Sequence, residues 1–144
     1  MKLNHLAALL ACALLWAGCD MATRPTGQGG ATPVADSPIG RAFDAGASGV
    51  QVEGEGVVTR VLADDTDGSR HQRFVVRLAS GQTVLLAHNI DVAPRVAGLK
   101  EGDSVRFYGE YAWNAEGGVV HWTHRDAKGR HAAGWVKHNG RTYQ

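Results

Sequence analysis

The chain has 144 residues, of which 44% are hydrophobic and 20% are charged, and its formal net charge is +1. This length suits about one small domain, and the nearly neutral balance argues against a strongly basic nucleic-acid-binding protein. Both cysteines, Cys12 and Cys19, lie within the first 19 residues, so the rest of the chain cannot form an internal disulfide.

Residues 1–18 are typical of a secretory leader. Lys2 precedes an apolar run from Leu6 to Trp16 that is too short to span a bilayer. The run leads into Ala17-Gly18-Cys19, which resembles the lipobox of bacterial lipoproteins, although Trp16 stands where lipoboxes usually carry leucine. In a lipobox the cysteine is lipidated and becomes the new N-terminus. The alternative is an ordinary cleaved leader that leaves Cys19 as a free thiol, which is a liability in an oxidising compartment.

The lipobox resemblance implies that membrane lipid is a partner of the protein through acylated Cys19. Several acyl chains on one cysteine anchor a protein stably, because each buried methylene contributes about 0.8 kcal/mol. By resemblance to enterobacterial lipoproteins, Asp20 directly after the cysteine favours the inner membrane. We therefore expect a lipid-anchored protein of the cell envelope that faces the periplasm.

Residues 19–49 predict a flexible tether between this anchor and a folded domain. They are rich in Gly, Ala, Thr, Ser and Pro, and large apolar residues are almost absent before Ile39. Such a segment cannot bury enough surface to offset the entropy lost on ordering. At most, residues 41–44 with Phe43 offer a short docking turn.

Charge is distributed unevenly along the chain. Residues 20–67 hold eight acidic and three basic side chains, whereas residues 119–144 hold five basic side chains, one acidic side chain and four histidines. A positive pole of this kind suits anionic phosphates or headgroups. The alternative is a solvated surface that the acidic half balances.

Residues 50–144 predict one all-β domain, because hydrophobic residues recur with a period of two and turn signals follow every ten or so residues. Gly54 and Gly56 interrupt the first strand and indicate a bulge or tight bend. Asn139-Gly140 is the strongest hairpin signal. Strand patterns cover residues 50–62, 71–79, 82–88, 105–113, 119–124, 134–137 and 141–143.

Three strands, a connection and two further strands follow the order of an OB-type barrel. Residues 89–99, which contain Pro94, predict a loop or one to two helical turns as that connection. The fold class is therefore a small OB-like β-barrel of five to seven strands, with a different small barrel or roll as the alternative. In OB barrels the loops after the first and fourth strands border the ligand face, which here would be the loops after Leu62 and Trp113.

Five side chains are candidate ligands for a divalent metal such as zinc or copper, since imidazole and carboxylate groups bind these ions. They are His88, Asp91, His121, His124 and Asp126. Residues three apart on a strand face opposite sides, so Val120 and Trp122 pointing inward would turn His124 inward and His121 outward. The alternative is that buried histidines bond backbone groups and exposed ones decorate a basic tail.

Aromatic and basic side chains also suggest a candidate binding face, because aromatic rings beside positive charge can stack a ligand. The candidates are Arg73, Tyr108, Tyr111, Trp113 and Trp122. A location in the cell envelope argues against nucleic acid as the ligand and favours a glycan, a peptide or another polyanion. The alternative is that most of these aromatic residues fill the core.

Two other function classes stay open. A metal-dependent, nuclease-like hydrolase could use His88, His121, His124 and Asp126, with the acidic loop at Asp64, Asp65 and Asp67 nearby in sequence. No Gly-x-Ser-x-Gly motif is present to supply a serine nucleophile. A structural envelope protein without a ligand is the third class.

Several motifs together resemble one uncharacterised bacterial family of small exported proteins, a domain of unknown function. They are His71-Gln72-Arg73-Phe74, His88-Asn89-Ile90-Asp91, Gly109-Glu110-Tyr111, Gly117-Gly118, His121-Trp122-Thr123-His124 and Gly134-Trp135-Val136. The resemblance covers about residues 54–144 and implies no activity, cofactor or catalytic residue. Arg125 departs from the histidine that similar sequences often carry there.

Overall fold

The computed structural model describes residues 37–144, so the predicted leader, the lipidation site Cys19 and most of the predicted tether lie outside the described residues. One helix and seven strands are present there: α1 (Pro38–Asp44), β1 (Val50–Val61), β2 (His71–Leu78), β3 (Thr83–Asn89), β4 (Ser104–Ala112), β5 (Val119–His121), β6 (Trp135–His138) and β7 (Arg141–Tyr143). No helix in this part of the chain is long and apolar enough to cross a membrane.

Five strands close into a barrel in the order β1-β2-β3-β5-β4, with β4 pairing back onto β1. Only β3 and β5 are parallel, and the other barrel pairs are antiparallel. Strands β6 and β7 extend the sheet from β4 as a hairpin, whose turn places Asn139 and Gly140 at φ 47° and 73°. The predicted OB-like barrel is therefore confirmed, with two additional strands and one short helix.

Alternating side chains fill the barrel, as the period of two predicts. On β2 the buried residues include Phe74 and Val76, and on β4 they include Val105 and Phe107. Gly54 makes room for this packing, since a Cβ there would lie 2.5 Å from Cζ of Phe107. The predicted irregularity of β1 occurs slightly later than the glycines, as a register shift between Val58 and Arg60.

Helix α1 shortens the predicted tether. The Ser37 hydroxyl accepts a hydrogen bond from the Gly40 N–H at 3.0 Å and caps the helix. Ile39 and Ala42 are buried in the core cluster of the barrel. The tether therefore does not extend to residue 49 as predicted, because two apolar residues three positions apart share one helix face and suffice to dock it.

The connection between β3 and β4 consists of turns without a helix. Gln72 holds it in place from β2, since its side-chain oxygen accepts from the Val96 N–H at 2.9 Å and its amide donates to the Val96 carbonyl at 3.2 Å. The loop after β1 lies at the end of β3, where Asn89 pairs with His71. The loop after β4 meets the beginning of β3, where Gly117 packs on Thr83. These two loops therefore lie at opposite ends of β3.

Candidate functional site

Strand β5 ends earlier than its hydrophobic pattern predicts. The pattern runs to His124, but the strand ends at His121 because Trp122 adopts a φ of 52°. A bulky residue rarely occupies this left-handed region, at a cost of about 1–3 kcal/mol. The prediction that Trp122 points inward is therefore wrong: its side chain is 36% exposed, whereas Thr123 and His124 are both buried.

The surrounding chain holds Trp122 in this conformation. Gly134 lies directly against it, since a Cβ at Gly134 would be 2.0 Å from the Trp122 carbonyl oxygen. The Gly134 N–H donates to the His124 carbonyl at 2.9 Å. The segment before β6 is thus packed against and hydrogen-bonded to the segment after β5. These contacts hold the strained backbone of Trp122 in place.

Four rings gather at this point, and we call them the histidine–tryptophan cluster: His121, Trp122, His124 and His131. The His131 ring stacks on Trp122 with 4.4 Å between centroids, and the His121 ring lies 5.3 Å from Trp122. His124 meets both Trp122 and His131 edge-on, at 5.9 Å and 4.9 Å. The cluster lies where β5 ends, with Trp122 partly exposed and His124 buried.

Hydrogen bonds fix the tautomers of two of these imidazoles. Nδ1 of His124 lies 2.7 Å from the Arg125 carbonyl, and Nδ1 of His131 lies 2.8 Å from the Ala132 carbonyl. A carbonyl oxygen can only accept, so each Nδ1 carries the proton and each neutral ring keeps its lone pair on Nε2. Both Nε2 atoms are buried and have no hydrogen-bond partner within residues 37–144, as is also true of Nδ1 of His138. This is unusual for buried polar atoms.

His88 lies under the cluster and has a different role. Its Nε2–H donates to the Pro94 carbonyl at 3.0 Å, and the Thr123 hydroxyl donates to its Nδ1 at 2.9 Å. Burial lowers the pKa of His88, and the nearby His124 lowers that pKa further. With both ring nitrogens bonded, His88 ties β3 to the segments on either side and offers no lone pair to a ligand.

Of the other predicted metal ligands, His121 joins His124 in the cluster, whereas Asp91 and Asp126 are engaged elsewhere. Asp91 accepts from the Arg70 backbone and guanidinium at 2.8 Å and 2.7 Å, and these contacts lower the pKa of its carboxyl group. Asp126 caps its own loop, and the Arg130 guanidinium at 3.0 Å lowers the pKa of its carboxyl group. Nε2 of His121 faces Glu110 at 3.7 Å. No group of three or more His, Cys, Asp or Glu side chains among residues 37–144 is arranged to hold a metal ion.

The predicted aromatic face is also dispersed. Tyr111 is fully buried and donates to the Gly117 carbonyl at 3.1 Å, so its placement on a binding face is wrong. Trp113 stacks on Phe43 of α1, and Tyr108 stacks on Trp135. The Arg73 guanidinium is bonded to the carbonyl of Ala63. Of the five predicted residues, the structure places Trp122 alone in the cluster.

Exposed cations flank the cluster on the loop before Gly134. Arg125 and Lys128 are exposed, and their side chains form no ion pair within residues 37–144. Arg130 is neutralised by Asp126. His131, on the same loop, could not be recognised from sequence as a partner of His124, because a spacing of seven residues across an irregular loop matches no ligand motif.

A second feature is an open groove of about 710 Å³ along β1, β4 and β6. Val57, Arg77 and Lys137 line it, and Arg106 there is paired with Glu53 at 2.8 Å. None of the four cluster residues lines this groove. Its walls combine aliphatic stems with charges of both signs, so it shows no convergent set of polar groups.

Comparison with protein-family models identifies the family of this chain. The family model described as "Protein of unknown function (DUF3465)" matches residues 29–144. This span is most of the chain, and the protein therefore belongs to the DUF3465 family. No curated protein matches it significantly.

Proposed function

We propose that this DUF3465 protein is a binding module of the cell envelope that captures an anionic ligand at the histidine–tryptophan cluster. The observation that carries the proposal is the backbone of Trp122. A half-exposed tryptophan held at φ 52° costs folding energy, and such strain concentrates at ligand sites.

The charges around Trp122 support an anionic ligand. Arg125 and Lys128 are exposed on the loop that follows His124, and Trp122, two residues before His124, offers a partly exposed aromatic surface. Aromatic surface beside unpaired positive charge is the combination that binds polyanions, acidic peptides and charged glycans.

The proposed location in the cell envelope further limits the classes of ligand that the protein would meet. We propose that Cys19 carries lipid and that residues 20–36 join the barrel to the membrane, which would place the cluster among envelope glycans, peptides and polyanions rather than nucleic acid. The strand order supports a binding role as well, since OB barrels commonly present ligands on an outer sheet face. No observation on residues 37–144 specifically favours the hydrolase alternative.

Titration of the full-length protein tests this proposal. We expect polyphosphate or a soluble peptidoglycan fragment to change tryptophan fluorescence saturably, and calorimetry to give the affinity. Loss of an aromatic stacking surface typically costs about 1–3 kcal/mol, so Trp122→Ala should weaken binding by about tenfold or more. The matched control is Trp113→Phe, which removes an exposed tryptophan outside the cluster and should leave the affinity unchanged.

Two results would contradict the proposal. Flat titrations with both probes would leave a structural role for the protein. An affinity that Trp122→Ala leaves intact would move the ligand away from the cluster, with the groove along β1, β4 and β6 as the next place to examine.

A further inference from the structure

We propose that His124 and His131 bind one transition-metal ion of the zinc or copper class through their Nε2 atoms. This inference rests on the proposed function, because it names a ligand for the same cluster. It differs from a metal set built on His88, Asp91 or Asp126, whose polar atoms are all engaged within the protein.

The first support is the state of the two rings. Each Nδ1–H donates to a backbone carbonyl, of Arg125 and Ala132 respectively. A histidine that binds metal almost always donates its other N–H to a carbonyl, carboxylate or water, which fixes the tautomer and raises ligand basicity. In their neutral form both imidazoles are thus oriented with the lone pair on Nε2, the nitrogen that would bind the ion.

The second support is that both Nε2 lone pairs lack any partner. Both atoms are buried and unbonded within residues 37–144. A buried acceptor without a donor is destabilising in a folded protein. One Lewis acid bound between these adjacent rings would satisfy both lone pairs.

The third support is the spacing of the rings. With a metal–nitrogen distance of about 2.0–2.1 Å and a tetrahedral angle, two imidazoles on one ion have centroids about 5 Å apart. A linear two-coordinate ion would require a separation of about 6.3 Å. The centroids of His124 and His131 are 4.9 Å apart and the rings are nearly perpendicular, at 87°. This separation fits a tetrahedral ion better than a linear two-coordinate ion.

Two protein ligands leave two positions of a tetrahedral ion open. Arg125 and Lys128 nearby carry positive charge, which opposes a bare cation but favours an ion that holds an anionic co-ligand. We therefore expect weaker affinity for Zn²⁺ alone than that of a four-ligand structural zinc site, and tighter binding of Cu²⁺ than of Zn²⁺. An open position is also where an anionic ligand would attach.

The test is calorimetry and equilibrium dialysis of the full-length protein with Zn²⁺, in parallel with single variants. We expect one Zn²⁺ per chain at the cluster, and at least a tenfold loss of affinity in His131→Gln and in His124→Gln. The matched control is His71→Gln, since His71 has its Nδ1 on the Ser69 carbonyl and lies outside the cluster. Comparison with wild type also cancels any metal bound by cysteines in the first 19 residues.

His124 is buried, so His124→Gln could fail to fold, and near-ultraviolet circular dichroism must accompany its titration. His131 is only partly buried, so His131→Gln keeps the test decisive. Unchanged Zn²⁺ affinity in folded His131→Gln, or equal loss in His71→Gln, would overturn the inference. If Zn²⁺ does not bind while polyphosphate still binds through Trp122, the metal inference fails and the proposed function stands. If neither binds, both fail.

Discussion

Trp122 is the residue on which the local structure around the cluster depends. Because its φ is 52°, the chain leaves β5 one residue after His121 and turns Thr123 and His124 inward. Thr123 then reaches His88, and His124 reaches His131. One unusual backbone conformation therefore produces both the buried Thr123–His88 hydrogen bond and the histidine–tryptophan cluster.

Gly134 provides a direct test of this arrangement. A Cβ at Gly134 would lie 2.0 Å from the Trp122 carbonyl and 2.6 Å from the Tyr108 carbonyl, both of which are backbone atoms. We expect Gly134→Ala to lower the free energy of unfolding by about 1–3 kcal/mol and to change Trp122 fluorescence. The control Gly129→Ala meets no atom within 4 Å and loses only the left-handed preference of glycine at φ +65°, which is about 1 kcal/mol. Equal effects in the two variants would contradict the close contact.

Asp103 and His138 form a hydrogen-bonded pair that joins the turn before β4 to the end of β6. Nε2 of the fully buried His138 side chain donates to the Asp103 carboxylate at 2.9 Å, and this bond lowers the pKa of Asp103. The folded state therefore takes up this proton less readily than the unfolded chain. The resulting stabilisation is complete above the ordinary aspartate pKa near pH 4 and is lost as pH falls through the lower folded-state pKa.

Asp103→Asn should flatten this acid dependence. Denaturant unfolding between about pH 2 and pH 6 should show a smaller loss of stability at the acidic end in the variant than in wild type, because the variant has no carboxylate to protonate. Glu55→Gln serves as control, since Glu55 is exposed on β1 and pairs with Arg106 only at 3.5 Å. Parallel curves for wild type and Asp103→Asn would show that the bond with His138 does not hold this carboxylate ionised.

At the scale of elements, α1 is part of the folded domain rather than of the linker. Ile39 is 1% exposed and packs near Gly54 and Phe107, where β1 has no side chain of its own to fill the space. The helix thus contributes an apolar side chain to the part of the core that the strands leave unfilled. A segment rich in glycine and proline can end in a docked helix when one apolar pair fits such a gap.

Ile39→Ala tests the contribution of α1. Truncation of a buried isoleucine to alanine costs about 2–5 kcal/mol, so we expect a lower unfolding midpoint in denaturant with an unchanged slope. Asp44→Ala, at the exposed end of the same helix, should remain within about 0.5 kcal/mol of wild type. A loss below about 0.5 kcal/mol for Ile39→Ala would mean that the helix contributes little to the core.

Periodicity and turn chemistry predict most of the elements. The alternation in β2 and β4 and the Asn139-Gly140 turn are local signals, and the structure follows them. The end of β5 could not be predicted, because the positive φ of Trp122 is imposed by Gly134, which lies twelve positions further along the chain. The pairing of His124 with His131 depends on the same tertiary contact, so strand parity could not reveal it.

At the scale of the whole molecule, the proposed lipid anchor at Cys19 can be tested independently of the barrel. Cys19→Ser should move the protein from the membrane fraction to the soluble fraction, because the variant lacks the thiol to which the lipid anchor would be attached. Cys12→Ser is the matched control, since Cys12 lies inside the apolar run of the leader. Unchanged fractionation of Cys19→Ser would refute the lipobox interpretation without bearing on the barrel.

The central claim is that the histidine–tryptophan cluster is the binding site, and NMR of the histidine side chains tests it most directly. Long-range ¹H–¹⁵N spectra of the full-length protein should show His124 and His131 as Nδ1–H tautomers. Addition of polyphosphate, and separately of Zn²⁺, should shift these imidazoles and the Trp122 indole while leaving Arg77 and Lys137 of the groove unchanged. Protonation of His124 and His131 at Nε2, or shifts confined to the groove, would contradict the claim.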